Sequence, residues 1–111
     1  MHYNKQEIER IAYDLFEKGE SREFLCQRLA ELNLMLKQIF PSINFLSTEK
    51  IDIMKLESEG MKNDNIKKPD ENTIKYFADS IKHSKVTIQE LHWLIAERKY
   101  LLKKHIRNMK S

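Results

Sequence analysis

The chain has 111 residues, 41% of them apolar and 33% charged, enough to bury one core but short for several domains. Two Gly and two Pro are too few for an all-β fold with its many tight turns. No apolar run approaches the roughly 18 residues that span a bilayer, so no membrane role is expected.

The first apolar stripe lies in a helix from about Asn4 to Lys18. Ile8, Ile11, Ala12, Leu15 and Phe16 recur at three- and four-residue steps, one face of a helix. Asp14 and Lys18 are spaced as a stabilising pair on that helix. Gly19 is the natural stop, because glycine tolerates a left-handed backbone. Ser21 then caps a second helix whose seam is Leu25, Leu29, Leu32, Leu36 and Ile39, widened by Phe24, Met35 and Phe40. It reads as the central core helix, ended by Pro41.

Ser47 or Thr48 caps a third helix to about Glu59, with Ile51, Ile53, Met54 and Leu56 on no single stripe. Residues 60–70, GMKNDNIKKPD, read as the main loop. Asp70 or Asn72 opens a fourth helix to about Ser84, with Ile74, Phe77, Ala78 and Ile81 facing inward. Thr87 and Glu90 have capping-box spacing and open a long fifth helix through Lys110. The expected fold is all-α: one domain over 1–111, with N-terminal helices in 4–59, the loop 60–70 and C-terminal helices in 71–110. About five helices form a bundle-like body with a long amphipathic C-terminal helix.

The fifth helix carries the most one-sided charge. Residues 1–60 hold eight Lys/Arg against eleven Asp/Glu, whereas residues 61–111 hold twelve against six. Arg98, Lys99, Lys103, Lys104, Arg107 and Lys110 follow one another with no acid between them. Cations there complement the helix dipole, but six over three turns exceed that need. Such a strip can attract nucleic acid or an acidic protein. Trp93 and Tyr100 interleave with these cations, as in a stacking surface or an interface.

Catalytic chemistry finds no support. There is no Gly-rich phosphate loop, nucleophile elbow or HExxH motif, and the four His residues lack metal-ligand spacing. No enzyme, cofactor or metal is expected. Asp79 and His83 share a face as a solvent-side pair, and Cys26 reads as a small buried hydrophobe. The lone cysteine allows no internal disulfide, and MHYNKQEIER has no signal-peptide apolar region, so a cytoplasmic setting is expected. The segment IAYDLFEKGESREFLCQRLAEL resembles the first half of a helix-turn-helix. The following NLMLKQIF is too apolar for a recognition helix, so the segment reads as a plain helical hairpin.

Two functional expectations follow. The first is a dimeric regulator that binds nucleic acid, DNA rather than RNA, through the six cations of the fifth helix. The second is a non-enzymatic interaction module (adaptor, chaperone, inhibitor or anti-regulator) that holds a partner on its helical faces. The fifth helix looks too long for helices three and four to cover. Leu91, Trp93, Ile95, Tyr100, Leu102 and Ile106 are therefore expected at a partner or homodimer interface.

Overall fold

A computed structural model describes residues 5–40 and 66–110, with side chains through Lys104. Among these residues there are four helices and no strand: α1 (Lys5–Lys18), α2 (Arg22–Ile39), α3 (Glu71–Lys82) and α4 (Ile88–Lys110). The helix expected at 47–59 and most of the loop 60–70 lie outside the described residues.

The helix boundaries follow local chemistry. Gly19 has φ 60°, and its N–H donates to the Phe16 carbonyl at 3.2 Å. A side chain at that φ would strain the backbone, so glycine releases the chain from α1. The Ser21 hydroxyl accepts from the Phe24 N–H at 3.2 Å and caps α2. Asp70 caps α3 by accepting from the N–H groups of Asn72 and Thr73, at 3.0 and 3.3 Å. At α4 the capping box closes reciprocally. The Thr87 N–H donates to Glu90 Oε1 at 2.9 Å, and the Glu90 N–H donates to Thr87 Oγ1 at 3.0 Å. Each box satisfies donors that a helix start leaves without intrahelical partners.

Packing then sets the architecture. The α2 seam residues Leu25, Leu29, Leu32, Leu36 and Ile39 are all at most 1% exposed. Helix α2 packs on both α3 and α4, while α1 packs on the other flank of α4. One apolar cluster joins α2 to α3 and the first half of α4 through Leu29, Ile74, Ala78, Ile81, Leu91 and Ile95. A second joins Ile8 of α1 to Leu36, Ile39 and Phe40, and to Ala96, Tyr100 and Leu101 of α4.

Two polar clamps fix the connections. The Arg22 guanidinium donates to the carbonyls of Val86, Lys82 and Ser84, the last two at 3.2 Å. It thereby occupies the last carbonyl of α3, which the helix cannot pair itself, and two carbonyls of the connector to α4. Gln38 makes a two-point clamp on the backbone of Lys67, donating at 2.7 Å and accepting at 2.8 Å. That clamp pins the segment leading into α3 against the end of α2.

The structure corrects the expected placement of several residues on α4. Leu91 and Ile95 are fully buried and Tyr100 is 2% exposed, all inside this one chain. Helices α1 and α2 both pack on α4 and cover this stretch of it. The uncovered stripe that motivated a homodimer is therefore absent from these positions. Phe16 and Phe24 also depart from expectation: they are 65% and 48% exposed rather than part of the core. Cys26 is buried as expected, and Asp79 pairs with His83 at 3.6 Å on the solvent side.

Candidate functional site

Arg98 is the first of the expected phosphate contacts, and it does not face solvent. It is 1% exposed. Its Nε donates to Asn33 Oδ1 on α2 and its Nη1 donates to the Leu94 carbonyl at 3.2 Å. The Glu97 carboxylate lies 3.9 Å away. Burial pushes the guanidinium down to about 10, with Glu97 opposing that shift, so it is still a cation at neutral pH. Arg98 is thus an internal tie between α2 and α4. The signal was present in LNLML: Asn33 is the one polar residue in that apolar run, and a buried polar group needs a partner.

Lys99 and Lys103 do reach the surface, and they do not stand alone. They line a groove of about 780 Å³ bounded by α1, α2 and α4. Ile11, Leu15, Leu32 and Leu102 form its floor; Arg10 and Lys18 enter from α1 and Arg28 from α2. Burial lowers the Lys99 ammonium below its ordinary value and the charges of Arg28 and Lys18 lower it further, while Glu20 and Asp14 partly oppose this. Three cations converging on one half-buried spot repel one another, which costs the free protein stability. The spacing of Arg10, Asp14 and Lys18 by four marks one face of α1, but Arg28 carried no sequence signal. Only the crossing of α2 over α4 brings it here.

Acids interleave with these cations. Asp14 and Glu17 also line the groove. Arg10 lies 3.9 Å from Glu7 and 3.8 Å from Asp14, Arg28 donates to Glu31 at 2.7 Å, and Lys103 lies 3.9 Å from Glu7. Lys104 points elsewhere, its ammonium 5.2 Å from the centre of the Tyr100 ring, a cation–π pair one turn apart. The side chains of Ile106, Arg107 and Lys110 lie outside the described residues.

A second surface occupies the opposite flank of α1. Tyr13, Phe16, Ile88, His92 and Trp93 line a cleft of about 610 Å³ between α1 and the start of α4. Tyr13 is 60% and Ile88 46% exposed. Phe16 meets His92 edge-on, with ring centres 6.3 Å apart. His92 Nε2 is buried with no hydrogen-bond partner among the described residues. Burial lowers the His92 imidazole below its ordinary value, and Glu20 partly opposes this.

That shift has a pH consequence. The unfolded chain binds the His92 proton more tightly, so stability is full above the ordinary imidazole value of about 6.5. It declines as pH falls through the lowered folded value. Between about pH 7.5 and about pH 5, thermal unfolding should fall further in the wild type than in His92→Gln, which cannot titrate. Equal losses in the two proteins would show that His92 protonates freely in the fold.

Compared with known proteins, the chain matches no protein-family model, no curated sequence and no solved structure, so the case for function rests on these two surfaces.

Proposed function

We infer that this chain is a non-enzymatic protein-interaction module that grips an acidic, amphipathic helical segment of a partner in the α1–α2–α4 groove. The observation that carries this reading is the apolar floor of Ile11, Leu15, Leu32 and Leu102 beneath a rim of Arg10, Lys18, Arg28, Lys99 and Lys103. A helix with leucine-type anchors and flanking carboxylates uses both features at once. The anchors would leave water, and the carboxylates would relieve the repulsion around Lys99.

A nucleic-acid duplex is the competing occupant, favoured by the same convergence of five cations. It uses the apolar floor poorly, and phosphates would meet Glu7, Asp14, Glu17 and Glu31 among the cations. Two of the groups expected to serve it, Arg98 and Tyr100, are inside the core.

Titration calorimetry with a model helix of Leu and Glu, and separately with a DNA duplex, decides between them. Lys99→Glu with Lys103→Glu should weaken the Leu/Glu helix by about tenfold or more. Lys99→Met should weaken it too, yet raise the unfolding midpoint of the free protein by roughly 2 °C or more, because a crowded cation is gone. A purely structural lysine would not show that opposition. If the Leu/Glu helix does not bind, the partner reading fails. Duplex binding with a salt slope of about −0.9 per phosphate contact, flattened by the same variants, would put nucleic acid in its place.

A further inference from the structure

We propose that the cleft between α1 and the start of α4 is a second docking surface, and that it takes an apolar helical segment carrying Lys or Arg. Its features are independent of the basic groove. Tyr13, Phe16 and Ile88 are large apolar side chains, each about half exposed or more, gathered in one place with Trp93. Such a cluster is unusual on a face that meets only water. Beneath it, the His92 imidazole is 7% exposed, and its Nε2 has no partner among the described residues. A buried polar atom of that kind is costly until something pairs with it.

The charge around the cleft selects the occupant. Among the described residues no Lys or Arg lines it, whereas Glu9 does. Glu20 acts on the His92 ring. Two carboxylates, Glu9 in the lining and Glu20 acting on His92, therefore edge an aromatic surface. An acidic segment would be repelled. A second copy presenting the same face would set carboxylate against carboxylate, which opposes two-fold pairing here. An apolar segment with flanking cations satisfies both the rings and the rim. With the basic groove on the other flank of α1, the helix separates two surfaces of opposite preference, as a bridging adaptor requires.

Trp93 is the only tryptophan and lines the cleft, so its emission reports occupancy directly. The probe is a model helix of Leu and Lys, titrated into the full chain. Its binding should shift Trp93 emission, and a Leu/Glu helix should not. Phe16→Ser should weaken the Leu/Lys helix by about thirtyfold, the loss typical of an aromatic anchor. Phe16 is 65% exposed, so the circular dichroism of that variant should stay unchanged. Glu9→Lys with Glu20→Lys should weaken it by about tenfold. Tyr76→Ser, on the exposed side of α3, should change nothing. The proposal is overturned if the Leu/Lys helix leaves Trp93 unmoved, or if Tyr76→Ser weakens binding as much as Phe16→Ser. Self-association of the wild type that Phe16→Ser abolishes would also overturn it, because a second copy would then be the occupant.

Discussion

Replacing Arg98 by Met should lower the stability of this protein by about 3–5 kcal/mol, a large part of what holds a small domain together. The guanidinium has 1% of its surface exposed and bonds to Asn33 across the α2–α4 contact. Removing it takes the Arg98 bond from the Asn33 amide oxygen and a cation 3.9 Å away from the buried Glu97 carboxylate. Both groups were desolvated on folding, and neither can regain water without opening the helix contact. Arg98→Lys should recover only part of the loss, since an ammonium keeps the charge but not the planar fork that reaches Asn33 and the Leu94 carbonyl together. Urea unfolding followed by circular dichroism measures both variants. A midpoint for Arg98→Met within experimental error of wild type would mean that Arg98 is solvated, and would return it to the set of surface cations.

Ile95→Ala should cost about 2–5 kcal/mol, and the loss should be the same at every protein concentration. Ile95 has no exposed surface, and it packs with Leu25, Leu29, Leu91 and Ile74 from α2, α4 and α3. Truncating it removes apolar contact and leaves a cavity that three helices cannot close without moving one another. The concentration test separates a core residue from an interface residue. If Ile95 joined two chains, the unfolding midpoint would rise with protein concentration, because dissociation would be linked to unfolding. A midpoint that climbs over a hundredfold concentration range would reinstate the homodimer that the sequence suggested. Tyr100→Ala should behave in the same way, since Tyr100 is enclosed by Ile8 of α1 and Leu36 and Ile39 of α2.

The helices themselves were determined locally, and local signals found them. The Ser21 cap, the Gly19 stop and the Thr87–Glu90 box each depend on atoms within four residues, so spacing alone suffices to read them. The α2 seam follows from periodicity for the same reason. What periodicity does not supply is the neighbour. Tyr100 and Arg98 look like surface groups beside Lys99 and Lys103, because one stripe of α4 already accounts for its apolar residues. Helices α1 and α2 both lie along α4, and that second contact encloses the other faces of the helix. Phe16 is the converse case. It fits the apolar stripe of α1, but that stripe is wider than the contact with α4, and Phe16 falls outside it with Tyr13. The cationic strip was legible as composition, while its partners Arg10, Lys18 and Arg28 were not. They stand some 70 to 90 positions earlier in the chain, and only the packing of α1 and α2 against α4 sets them around Lys99.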